Sequence, residues 1–151
     1  MPELFTIGYE KAGQPALVER LVRAGVRTLI DVRELPLSRR AGFSKGPLSA
    51  ALRQAGIEYL HLKALGTPKE GRLAGRAGDQ PLFWSIVDQA LARPEAQYEL
   101  GVAAATALNQ GPACLLCLED DPHICHRSRV AADMAAGWGF DVHHLAVDAA
   151  F

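Results

Sequence analysis

Residue types able to do covalent or acid–base chemistry crowd into one stretch of this chain, Ala113–Arg129, which holds Cys114, Cys117, Glu119, His123, Cys125, His126, Arg127 and Ser128. A thiol near a helix N-terminus, beside histidine and arginine, is in the setting that depresses its pKa and exposes a thiolate. Cys125 stands immediately before His126-Arg127 and meets that description. Cys117 falls where a strand should end, the usual place for a nucleophile on an α/β fold. Arg127 offers a bidentate fork to a phosphate, sulfate or carboxylate. Ser128 offers a capping hydroxyl, so the helix entry as a whole is a candidate anion site. Glu119, together with Asp31 further upstream, could orient a partner or carry a proton. Each residue also has a plainer role: the cysteines as packing residues, Ser128 as a simple cap, and Arg127 paired with Asp120 or Asp121. Cys114 should face the core, and its Cys-x-x-Cys spacing with Cys117 is a weak redox signal, because such pairs open helices. The ligand types of Cys117, His123, Cys125 and His126 suit zinc, but their spacing is no knuckle and no second pair lies elsewhere. Adjacent His143 and His144 on a strand face opposite sides. The expectation is therefore no metal and no cofactor.

The elements that must position these residues follow from hydrophobic period and turn residues. Leu4–Gly8 reads as a first buried strand, and a helix from about Pro15 stops at Gly25. Val26–Val32 is a second strand, rich in β-branched residues. A polar loop, Arg33–Gly46, carries Arg33, Arg39, Arg40 and Lys45 around Phe43, a mixture suited to phosphates or bases. Pro47–Ala55 is a short helix and Ile57–Leu62 a third strand. The Gly-rich segment Gly66–Gly78 is the one plausible flexible loop. Two helices follow, one striped by Leu82, Phe83, Ile86, Val87, Ala90 and Leu91, the other running from about Glu95 to Asn109. The apolar run from Ala113 to Cys117 is a strand, Ser128–Ala136 a helix, and Asp141–Leu145 a last strand.

This alternation predicts an α/β fold: a single three-layer domain over residues 1–151, with a central, mostly parallel sheet of about five strands flanked by helices. Ligands of such sheets bind beyond the carboxyl ends of the strands. Those ends carry Tyr9, Asp31 with Arg33, His61 with Lys63, and Cys117 with Glu119. With 151 residues, 49% of them apolar, the chain can bury a sizeable core. A formal charge of −1 argues against a general nucleic-acid coat or a basic membrane-surface protein. No apolar run reaches the length of a membrane span, and Met1-Pro2-Glu3 lacks the features of a signal peptide. Three cysteines, an odd count without secretory context, point to free thiols in a reducing cytoplasm.

Taken together, Ile7-Gly8-Tyr9-Glu10, Leu29–Arg33 followed by Pro36 and Ser38-Arg39-Arg40, Phe43-Ser44-Lys45, Tyr59–His61 with Leu65-Gly66, and Cys117-x-Glu119 followed by Pro122 and Cys125-His126-Arg127 resemble the domain of unknown function 488 family. The resemblance covers nearly the whole chain in order. It implies a compact cytoplasmic α/β domain with its site at these residues, and no established activity. More distantly, Asp31–Glu34, the strand-end cysteine, Arg127-Ser128 and Gly139-Phe140 look like a rhodanese-type sulfurtransferase domain, although Cys117 and Arg127 are too far apart for its compact persulfide cradle.

The expectation is an uncharacterised cytoplasmic protein with an anion site at the strand ends, read first as a cysteine-dependent enzyme for a small anionic substrate. Cys125 or Cys117 would be the thiolate, with Asp31 and Glu119 as orienting or proton-transfer groups. Tyr9, Arg33, Arg39, Arg40, Lys45, His61, His126, Arg127 and Ser128 would bind the ligand. The rival is a nucleotide- or nucleic-acid-binding module in which the basic loop holds phosphates and the cysteines are structural. Oligomeric state and protein partner do not follow from the sequence.

Overall fold

In the computed structural model, which describes residues 2–147, five strands form one wholly parallel sheet in the order β3-β2-β4-β1-β5. The strands are β1 (Glu3–Gly8), β2 (Thr28–Asp31), β3 (Glu58–His61), β4 (Ala113–Cys117) and β5 (Asp141–Leu145). Between them run α1 (Gln14–Arg23), α2 (Lys45–Gln54), α3 (Lys69–Arg76), α4 (Gln80–Leu91), α5 (Pro94–Asn109) and α6 (Arg127–Trp138). All five residues of central β4 are buried. A strand covered on both faces must be apolar throughout rather than alternating, which is why Ala-Cys-Leu-Leu-Cys reads as a continuous run.

Alternation still decides which face each residue serves. Cys114 and Leu116 join Leu17 and Leu21 of α1 and Leu48 and Leu52 of α2 in one core layer. Leu115 and Cys117 join Phe83, Val87, Leu100, Ala103, Val130 and Met134, from α4, α5 and α6, in the other. The single-domain, three-layer α/β expectation therefore holds for the described residues, with every strand parallel. None of their helices is long and apolar enough to cross a membrane.

One expectation fails. Gly66–Gly78 is not a flexible loop, since Lys69–Arg76 is helix α3. Its glycines are packing residues. A Cβ on Gly71 would sit 2.5 Å from Cγ2 of Thr67 and 3.1 Å from Cγ2 of Ile86, and one on Gly75 would sit 3.2 Å from Cδ1 of Phe83. The absent side chains let α3 lie close on α4, and that burial offsets the weak helix propensity of glycine.

The topology also fixes the position of the site. The connections through α1 and α2 cover one face, whereas those through α3–α5 and α6 cover the other. The crossover side changes around β4, and a crevice opens beyond the carboxyl ends of β1, β2 and β4.

Candidate functional site

That crevice is a cleft of about 450 Å³. Tyr9 and Glu10 follow β1, Arg33 and Glu34 follow β2, and Cys117, Leu118 and Glu119 close β4; all line it, together with His126 and Arg72, Arg76 and Gln80 from the α3–α4 region. Leu35, Leu37, Leu118 and Ile124 give it an apolar rim and are all exposed. A smaller hollow of about 320 Å³ shares only Glu34 with it and holds no cysteine.

The register of the sheet brings the end of β1 against the end of β4, with Gly8 opposite Cys117. The chain then turns through Pro122–Ile124, where the Asp121 carboxylate accepts from the backbone N–H of His123 at 2.9 Å. This turn returns Cys125 and His126 beneath Cys117. The ligand atoms of Cys117, Cys125 and His126 all lie within 4.8 Å of one another. Nδ1 of His126 is 3.4 Å from the Cys117 sulfur and 3.9 Å from that of Cys125. Its Nε2 is 2.7 Å from the carbonyl oxygen of Val32. A carbonyl only accepts, so Nε2 carries the hydrogen, and in the neutral ring Nδ1 is left as a base facing two thiols. The Cys117 sulfur also lies 3.6 Å from Oε2 of Glu119.

The two thiols divide what a nucleophile needs. Burial opposes ionisation of Cys125, but hydrogen bonding from Cys117 and His126 and the charges of His126 and Arg127 outweigh it and hold this thiol well below its usual range. Hydrogen bonding to Cys125, burial and the neighbouring negative charges hold Cys117 well above it. Yet Cys125 is fully buried, whereas Cys117 lines the cleft. The surroundings therefore favour the charge on the inner sulfur, while the access belongs to the outer one. Burial disfavours the charged ring of His126, but the bonds to Cys125 and Val32 and the charge of Cys125 prevail and raise its pKa. Burial, then the charge of Cys125, push Glu119 up to about 7.

Arg127 does not face the cleft. It is the largest fully buried side chain and donates to Oγ1 of Thr6 at 3.1 Å, to the carbonyl oxygen of Asp120 at 3.2 Å, and to that of Glu119. Among the described residues no carboxylate pairs with it, as its acceptors are neutral. A buried cation of this kind favours an anion nearby, and the thiol pair is where one can form. Ser128 lies inside α6 rather than capping it, and its hydroxyl donates to the carbonyl oxygen of Cys125 at 2.8 Å. Both side chains expected at an open helix entry thus already have protein partners.

A second buried network holds the loop after β2. Nε and Nη2 of Arg33 donate to the two oxygens of Asp31 at 2.9 and 2.7 Å, while Nη1 donates to Tyr9 Oη at 3.1 Å and to the Phe43 carbonyl at 2.7 Å. Tyr59 donates to Asp31 at 2.6 Å, and Nε2 of His61 reaches the Arg33 carbonyl at 2.7 Å. Asp31 is fully buried and is not among the residues lining the cleft. The plainer reading, an ion pair that anchors a loop, describes its geometry. Arg39, Arg40 and Lys45 are exposed but do not line the cleft, and Arg40 donates to the Ala12 carbonyl. The structure thus brings Tyr9, Arg33, Cys117, Glu119, Cys125 and His126 together and leaves the basic loop outside.

Two basic cleft residues escaped the sequence reading. Arg72 is paired with Glu34, while exposed Arg76 makes no hydrogen bond or ion pair among the described residues. The signal was present: Gly71 with Gly75 and Arg72 with Arg76 are each four residues apart, a helical spacing that puts each pair on one face. The fold also brings together a group of possible ligand residues that their spacing did not indicate. His123 is exposed and outside the cluster, but Cys117, Cys125 and His126 form one.

Residues 15–134 match the family described as domain of unknown function DUF488, and the chain belongs to it. No curated protein and no solved structure matches the chain. Nothing supports the distant likeness to rhodanese-type domains.

Proposed function

We propose that this member of the DUF488 family is a cysteine-dependent enzyme acting on a small anionic substrate, with Cys117 as the sulfur that meets it. The carrying observation is a cleft-lining thiol 3.4 Å from an imidazole nitrogen whose ring orientation is fixed by the Val32 carbonyl. The surroundings of Cys125 favour its charged form, and its sulfur lies within 4.8 Å of that of Cys117, so a proton can pass from the outer thiol to the inner sulfur when an electrophile approaches the outer one. Glu119, with a pKa near neutrality, is matched to giving or taking a proton at the same place. Arg76, unpaired among the described residues, is available to the anionic group, and the leucine and isoleucine rim suits an apolar body. The rival nucleic-acid module loses support because Arg33 is fully engaged and the exposed basic loop lies outside the cleft.

The test compares iodoacetate with iodoacetamide on the native, metal-free protein at neutral pH, with peptide mapping. Cys117 should be modified first, and the anionic reagent should react faster than the neutral one. Arg76→Gln should abolish that preference. His126→Gln, which keeps a donor for Val32 but removes Nδ1, should slow the reaction at least tenfold. If all three cysteines react only on unfolding, or the neutral reagent is always faster, the proposal fails.

A further inference from the structure

We propose that Cys117, Cys125 and His126 form a binding site for one soft divalent cation, of which Zn²⁺ is the natural occupant, with the fourth coordination position open to the cleft. This goes beyond the thiol reading: a bound ion would take up the sulfurs that the reaction needs, so the thiol chemistry belongs to the metal-free chain and the metal-bound chain is its blocked form. The spacing of the donors is the first argument. Zn–S bonds of about 2.3 Å and Zn–N bonds of about 2.0 Å at tetrahedral angles put sulfur and nitrogen about 3.6 Å apart. The two sulfur–nitrogen distances here are 3.4 and 3.9 Å, and all three atoms lie within 4.8 Å of one another. The second is orientation. Metal-bound histidines usually donate their other ring N–H to a carbonyl or carboxylate, and the Val32 carbonyl at 2.7 Å does this for Nε2, leaving Nδ1 as the ligand atom.

Formal charge supplies the third argument. The two thiolate ligands bring two negative charges to a buried place. A divalent cation brings the sum to zero, the condition under which buried charges are least costly. Soft sulfur donors with one imidazole select Zn²⁺ over Mg²⁺ or Ca²⁺, which take oxygen ligands. Three protein ligands with a position open to a cleft are the pattern of sites that exchange a fourth ligand. Glu119 stands outside the trio, 3.6 Å from the Cys117 sulfur, and so can accept a hydrogen bond from whatever fills that position.

The experiment uses reduced full-length chain stripped with chelator and titrated with Co²⁺ alone, then Zn²⁺ alone. One Co²⁺ per chain should bind, with thiolate-to-cobalt charge transfer and the visible bands of a tetrahedral ion, and Zn²⁺ should displace it. Cys117→Ala, Cys125→Ala and His126→Gln should each weaken binding at least 100-fold. Cys114→Ala, on the opposite face of the sheet, should bind as the parent does. Circular dichroism confirms that each variant is folded before titration. Bound Zn²⁺ should also protect Cys117 from alkylation. Substoichiometric binding, or binding that His126→Gln leaves unchanged, would overturn the site. The alkylation order of the metal-free protein is read separately, so loss of the metal site and loss of the thiol reading are distinct results.

Discussion

Replacing Gly8 by alanine tests the joint on which the site depends. Gly8 ends β1 opposite Cys117, and its backbone is ordinary extended chain, so glycine is not required there by its conformational freedom. It is required by space. A Cβ would lie 1.8 Å from the carbonyl oxygen of Glu119 and 3.1 Å from Nη1 of Arg127. Carbon and carbonyl oxygen normally approach no closer than about 3.3 Å, so the Glu119 carbonyl must retreat by about 1.5 Å. That carbonyl accepts from the fully buried Arg127. Overpacking costs about 1–3 kcal/mol and a lost hydrogen bond to a charged group about 1.5–3 kcal/mol, so Gly8→Ala should destabilise by about 3–5 kcal/mol. With a urea m-value of about 2 kcal/mol/M, the midpoint should fall by about 1.5–2.5 M. Gly101→Ala in α5 is the control. No atom lies within 4 Å of its Cβ position, so helix propensity alone should raise stability by about 0.5–1 kcal/mol. Equilibrium urea unfolding followed by circular dichroism measures both. A Gly8→Ala midpoint within about 0.5 M of the parent would refute the reasoning.

Two further outcomes concern charge. Glu119 is pushed up to about 7 by burial, then by the charge of Cys125, against about 4.3 in an unfolded chain. Its contribution to stability is thus fully present below about pH 4.3 and lost as pH rises through 7. Glu119→Gln stays neutral, so the metal-free variant should gain on the parent by about 3–4 kcal/mol between these limits; denaturant titrations showing a pH-independent difference would contradict this. Asp31→Asn leaves the buried Arg33 without its carboxylate and should cost about 3–5 kcal/mol, whereas a loss below about 1 kcal/mol would mean that the ion pair does not hold the loop.

Periodicity and breakers were enough to place the α/β class, the five strands and five of the six helices. In this chain the strands are short apolar runs bounded by glycine, proline or charge, and the central strand advertises its burial in every residue. Tyr9, Asp31 with Arg33, His61 with Lys63, and Cys117 with Glu119 were legible as strand-end residues of one edge, because a parallel sheet puts all its carboxyl ends together. Side-chain direction did not follow. Cys125-His126-Arg127 reads the same in sequence whether its arginine faces solvent or core, and only the packing of α6 against β1 and β4 turns Arg127 inward onto Thr6. Glycines in Gly66–Gly78 signal either a loose loop or a close helix contact, and the presence of Ile86 and Phe83 across the gap makes Gly71 and Gly75 the latter. The distances joining Cys117, Cys125 and His126 depend on the turn at Pro122–Ile124, whose geometry no spacing rule contains. Local pattern determines which elements form, whereas the assignment of a polar side chain to cleft, core or metal depends on neighbours contributed by distant parts of the chain.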